Sequence, residues 1–177
     1  DGAGPRGQVG DREVISFASN DYLGLAAHPS VRRAAIEALE RWGSGSGASR
    51  LVTGTRTLHH ELEEAIRDWK GTEAALVFPT GYTANLGVLQ VLGASEATIF
   101  SDELNHASII DGCRLAKARK VVFRHNDVEH LRELLAGVAG RKIVVTEATF
   151  SMDGDVAPFE ALVSACSDHG ALLVVDE

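Results

Sequence analysis

Residues 97–127 read ATIFSDELNHASIIDGCRLAKARKVVFRHND. The stretch predicts an apolar strand near 97–101, a helix near 106–117 and a second apolar strand near 120–124. A strand, a helix and a strand in that order make one crossover unit, which joins parallel neighbours in a sheet. The pattern repeats outward. Further strands are expected near 73–78, 142–147 and 171–176, with helices near 83–92, 127–137 and 158–169. Asn126 to Glu129 fits a helix-opening capping box. Regular alternation of this kind argues for an α/β fold with a mostly parallel sheet and helices on its faces.

Upstream the pattern is looser. Residues 13–18 fit a short strand, and the first ten residues, rich in glycine, read as a loose lead-in. His28-Pro29-Ser30 opens a helix, since proline is tolerated in the first turn; Val31, Ala35, Leu39 and Trp42 recur along it at helical spacing. A Gly/Ser turn follows at 43–49. A second amphipathic helix covers about 57–70, with Leu58, Leu62, Ile66 and Trp69 on one stripe. At the other end, Leu172-Leu173-Val174-Val175-Asp176-Glu177 is a hydrophobic strand running into two acids. Such a strand normally feeds another element, so the sequence reads as a piece of a longer protein.

Composition narrows the function. The 177 residues suffice for a hydrophobic core, and 45% hydrophobic with 24% charged residues is ordinary for a globular protein. A net charge of −8 speaks against a nucleic-acid partner, whose binders are more often basic. No apolar run approaches the roughly 20 residues of a membrane span, and no signal peptide is visible. Cys113 and Cys166 lack a Cys-x-x-Cys spacing and read as buried thiols, which fits a reducing cytoplasm.

In open α/β sheets, ligands bind outside the carboxyl ends of the strands. The loops there carry Pro79–Tyr82, Ser101–His106, His125–Asp127, Phe150–Asp155 and Asp176–Glu177, which are expected to form one cleft. Thr80-Gly81-Tyr82-Thr83 would link a strand to a helix. It is either a tight turn or a phosphate site made of backbone N–H groups at the positive end of the helix dipole. His106, at a helix start, is a cap or a ring that stacks on a flat ligand. Asp176 either bonds a loop or pairs with a protonated ring nitrogen, because a buried carboxylate needs a partner. Ser151, Asp153 and Asp155 lack calcium-loop spacing and read as a turn in which Asp side chains cap backbone N–H groups. Gly45–Arg50 matches neither a Walker loop nor the dinucleotide fingerprint, which disfavours a nucleotide-binding module.

Several strings, taken in order, carry a resemblance. They are Ser19-Asn20-Asp21-Tyr22-Leu23-Gly24-Leu25 with His28-Pro29; Gly45–Arg50 with Gly54; His59 before Glu61-Leu62-Glu63; Gly81-Tyr82-Thr83-Ala84-Asn85; His106-Ala107-Ser108; His125-Asn126-Asp127; Thr146-Glu147 with Phe150–Asp155; and Val175-Asp176-Glu177. From about residue 13 to 177 the chain resembles the α-oxoamine synthases, pyridoxal-phosphate enzymes of fold type I, the aspartate-aminotransferase-like fold. The resemblance implies an N-terminal segment over 1–45 and the first part of a large cofactor-binding domain over 46–177. It implies a homodimer, with the Gly/Ser turn near the interface.

Carried over by position, Gly81 and Tyr82 hold the phosphate of pyridoxal 5'-phosphate (PLP), His106 stacks on its ring, and Asp176 pairs with the ring nitrogen. Ser151 lies near the phenolic oxygen, Glu147 borders the site, and Asn20 contacts the amino-acid carboxylate. The family's Schiff-base lysine falls beyond residue 177. Lys70, Lys117, Lys120 and Lys142 precede predicted strands and belong to the opposite edge. Ser19–Leu25 and Arg50–Gly54 look most like the members that join L-alanine to pimeloyl-CoA or a pimeloyl carrier protein. Sister activities using glycine or serine, and a non-catalytic paralogue, are the alternatives.

Overall fold

The computed structural model describes residues 5–177. The chain divides after Ala74 into two compact units.

The second unit is built on β3 (Ala97–Asp102), β4 (Arg119–Phe123), β5 (Arg141–Glu147) and β6 (Ala171–Asp176). All pairings are parallel, in the order β4-β3-β5-β6. Strand periodicity puts successive side chains on opposite faces. Ile99, Ile143 and Val145 therefore pack on one face, with Leu89, Ile109 and Cys113. Phe100 and Val144 pack on the other, with Phe123, Leu131, Leu135 and Leu162. The first face is covered by α3 (Gly81–Leu92) and α4 (Ala107–Leu115), the second by α5 (Val128–Ala136) and α6 (Phe159–Asp168). Burial on both faces is why β3 and the last five residues of β5 are buried throughout.

The strand order positions the site. From β3 the chain moves outward to β4, then crosses back to β5 on the other side of β3. The loops leaving β3 and β5 therefore diverge, and a crevice opens between them at the carboxyl edge.

Three expectations need correction. Residues 73–78 join no ladder of either sheet among the described residues. Their apolar run has strand character, but composition alone does not place a segment in a ladder. The cap of α5 is Asp127, whose carboxylate accepts from the His130 N–H at 2.9 Å; Asn126 instead takes a left-handed φ of 53°. Within the first ten residues, β1 (Arg6–Val9) pairs antiparallel with β2 (Arg12–Ile15). Gly10 turns that hairpin at φ 60°, a conformation glycine adopts without steric cost.

The first unit also holds α1 (Pro29–Trp42) and α2 (Thr57–Lys70), as expected. Ahead of α2, a π-type turn spans Arg50–Gly54, and Arg50 pairs with Glu63 through both guanidinium nitrogens at 2.5 and 3.0 Å. A Cβ at Gly54 would lie 1.8 Å from the Ala48 carbonyl oxygen, so only glycine fits there. Among the described residues, no helix is long and apolar enough to cross a membrane.

Candidate active site

A cleft of about 270 Å³ opens at the carboxyl edge of the sheet in the second unit. Gly81, Tyr82, His106, Ser151 and Asp176 line it, in keeping with their loop positions, and so does Glu147, which the family resemblance placed at the border of the site. Asn20 belongs to the first unit and is not among the lining residues; its Oδ1 accepts from the Tyr22 hydroxyl at 3.4 Å.

One wall is the start of α3. Thr80 caps the helix, its hydroxyl accepting from the Thr83 N–H at 3.1 Å, while the Thr80 carbonyl takes the Ala84 N–H. The N–H groups of Gly81 and Tyr82 have no partner among the described residues. A Cβ at Gly81 would meet nothing within 4 Å, so a ligand can approach this backbone closely. Two free donors at the positive end of a 12-residue helix suit an anion. The Tyr82 side chain is engaged elsewhere: its hydroxyl donates to Asp111 at 2.5 Å. That bond, with burial adding to it, raises the phenol pKa above 10; it also holds the Asp111 carboxyl below its usual range, helped by Arg114.

The opposite wall is the end of β6. Asp176 Oδ2 accepts from Asn85 Nδ2 at 2.8 Å, and Oδ1 has no hydrogen-bond partner among the described residues. The same Asn85 nitrogen reaches Ser108 Oγ at 2.9 Å, and that hydroxyl lies 2.7 Å from His106 Nδ1. His106 is the N-cap of α4, with Nδ1 accepting from the Ser108 N–H at 3.2 Å. Cap and cleft residue are therefore one and the same.

Glu147 closes the floor. It is 5% exposed and accepts from two backbone N–H groups, those of His106 and, at 3.3 Å, Ser151. One carboxylate thus ties the loop after β3 to the loop after β5.

His125 does not line the cleft. It sits between two carboxylates, with Nδ1 2.9 Å from Asp102 and Nε2 2.7 Å from Asp155, and its ring meets Phe150 edge-on. Burial alone would lower its pKa, but the two carboxylates outweigh burial and raise it above 6.5. Asp155 is held below 3.8, chiefly by His125. Its carboxylate binds the side chains of His125 and Asn126. The turn itself closes through Phe150 N–H to the Asp155 carbonyl at 2.9 Å and Gly154 N–H to the Phe150 carbonyl at 2.8 Å.

Sequence reading missed Asn85, Ser108 and Thr149, which also border the cleft. Asn85 and Ser108 sit inside strings already singled out, but their partners lie 23 and 91 positions away.

The chain matches a known family. The family model for aminotransferase class I and II covers residues 12–177. The chain belongs to this family. It is 57% identical to the 8-amino-7-oxononanoate synthase of Geobacter sulfurreducens over 168 residues, which is 94% of this chain and 43% of that protein. A serine palmitoyltransferase of S. paucimobilis, solved with PLP and myriocin bound, superposes with a TM-score of 0.94 at 40% identity, covering 98% of this chain and 44% of that one. The 8-amino-7-oxononanoate synthase of Francisella tularensis gives 0.76 at 26% identity, covering 91% and 44%. These matches bear out the fold-type-I architecture and the resemblance to α-oxoamine synthases. The chain spans less than half the length of each of these relatives.

Proposed function

We propose that the full-length protein is a PLP-dependent acyltransferase. It would condense L-alanine with a pimeloyl thioester, release carbon dioxide and form 8-amino-7-oxononanoate for biotin synthesis. The observation that carries the cofactor assignment is the cleft itself. Two free N–H donors at the start of α3 face the same space as a carboxylate with one uncommitted oxygen and an exposed imidazole. An anionic phosphate and a protonated ring nitrogen are the complementary groups.

In this reading the N–H groups of Gly81 and Tyr82 bind the phosphate. Asp176 Oδ1 accepts from the ring nitrogen and keeps it protonated. His106 stacks on the ring, Ser151 lies beside its phenolic oxygen, and Glu147 holds His106 and Ser151 by their backbones. Asn20 contacts the amino-acid carboxylate. PLP, when bound, supplies an electron sink for charge developing on the amino acid. No lysine lines the cleft. The Schiff-base lysine is assigned to the part of the relatives that this chain does not span. The protein would act as a homodimer, as the family resemblance implies.

The choice of L-alanine and pimeloyl thioester rests on the 57% identity to a relative of that name, against 40% to the serine palmitoyltransferase. The latter supports a second reading, condensation of serine with a long-chain thioester. One experiment separates them. Full-length protein and PLP are given equal L-alanine, glycine and L-serine with pimeloyl, acetyl, succinyl and palmitoyl thioesters, and the products are read by mass spectrometry. 8-Amino-7-oxononanoate is the expected main product. A glycine- or serine-derived ketone overturns the substrate assignment and keeps the cofactor; absence of a visible PLP band overturns both.

A further inference from the structure

The hydrogen bonds among Asp176, Asn85, Ser108 and His106 have a direction, and the chemistry of each group fixes it. A carboxylate only accepts, so the Asn85 atom 2.8 Å from Asp176 Oδ2 must be the NH₂ nitrogen. The same NH₂ lies 2.9 Å from Ser108 Oγ and can only donate to it. Ser108 is 1% exposed, so water is a poor competitor for its hydroxyl proton. His106 Nδ1 lies 2.7 Å from that hydroxyl. Nδ1 already accepts the Ser108 backbone N–H, so it carries a lone pair rather than a proton. The hydroxyl proton therefore points at Nδ1 too. His106 Nε2 has no partner among the described residues, on a ring exposed at the cleft.

We infer that Asn85 and Ser108 form a one-way hydrogen-bond relay that sets His106 in the Nε2–H tautomer, a donor offered to the cleft, with Asn85 also aligning Asp176. The relay makes His106 and Asp176 a single unit. Asn85 holds Asp176 by one oxygen and leaves the other free; Ser108 holds His106 by Nδ1 and leaves Nε2–H free. An N–H in the imidazole plane remains available when the ring face is stacked. It suits a carbonyl oxygen on which negative charge grows, as in attack on a thioester. Asn85 and Ser108 are positioning residues; of these four groups, His106 and Asp176 are the ones that touch the ligand. The catalytic consequence rests on the proposed function, whereas the proton arrangement does not.

The test reads the protons directly. Full-length protein labelled with ¹⁵N-histidine is examined by NMR without cofactor, with His106 assigned by loss of its signals in His106→Gln. The expected pattern is a protonated Nε2 and an unprotonated Nδ1. A protonated Nδ1 in the wild-type protein overturns the relay outright, with no variant needed. Ser108→Ala leaves only the backbone N–H on Nδ1 and should weaken the preference for the Nε2–H tautomer, and Ser108→Thr, which keeps a hydroxyl, should restore it. An unchanged pattern in Ser108→Ala shows that the Ser108 backbone N–H alone sets the tautomer, and overturns the relay. In turnover, Ser108→Ala should lower kcat by about tenfold, the scale of one hydrogen bond made at the reacting group, and leave KM within about twofold. The tautomer is read without PLP. An Nε2–H signal in a protein that binds no PLP would sink the proposed function and leave the relay standing.

Discussion

His125→Leu isolates the tie beneath the cleft. Leucine keeps apolar bulk against Phe150 but removes both ring donors. The Asp102 side chain is 1% exposed and that of His125 is 19% exposed, so their bond is a shielded, charge-assisted one, and losing it costs about 1.5–3 kcal/mol. Asp102 is not orphaned, because the N–H groups of Leu104 and Asn126 still reach it at 2.9 Å, which argues for the lower part of that range. The Asp155 arm is 44% exposed and adds little through water. With a urea slope of roughly 1–3 kcal/mol per molar, the unfolding midpoint should fall by about 1 M near pH 6. The pH dependence has a definite sign. The folded His125 pKa lies above 6.5, so its contribution is complete below that value and fades as pH rises through the folded pKa. The midpoints of wild type and variant should therefore differ fully near pH 6 and converge as pH rises from 6.5 through the folded pKa of His125. A gap that is constant or widens over that range would refute the bridged imidazolium. Asp155 works in the other direction: its folded pKa is below 3.8, so its share is present above 3.8 and lost as pH falls through the folded value.

Two further outcomes follow from the geometry. Gly112→Ala should lower the melting temperature, because its Cβ would lie 2.8 Å from Leu89 Cδ1 and 3.0 Å from the Asn85 carbonyl oxygen. Overpacking of about 1–3 kcal/mol exceeds the ~1 kcal/mol gained from helix propensity, and a higher melting temperature by calorimetry would contradict this. Tyr82→Phe should leave PLP affinity within about twofold by fluorescence titration, since the phosphate is assigned to the backbone N–H while the hydroxyl binds Asp111; a tenfold loss would contradict the assignment.

The layers of the fold were legible because strand and helix periods differ, and residues 97–177 alternate cleanly between them. Six cleft residues were legible because a parallel sheet gathers its carboxyl ends on one edge, and motif strings fell on those ends. Residues 73–78 misled because an apolar run with strand character need not join a sheet ladder. His125 misled in the same way. Its loop is at the right edge, but Asp102 and Asp155, which hold it, come from positions 23 and 30 residues away. The Asn126/Asp127 cap shows a smaller version of the limit. Both residues favour caps, and only the backbone turn at Asn126 decides which one serves. Asn85 looked like an ordinary helix residue because its role exists only across α4 and β6.

The shared acceptor Glu147 has a consequence for solvent exchange. The amides of His106 and Ser151 sit in loops beside an open cleft, where free amides would trade hydrogen for deuterium quickly. Both are instead held by a single buried carboxylate on the last residue of a central strand. The two amides are expected to exchange on one common timescale, set by the opening that frees Glu147.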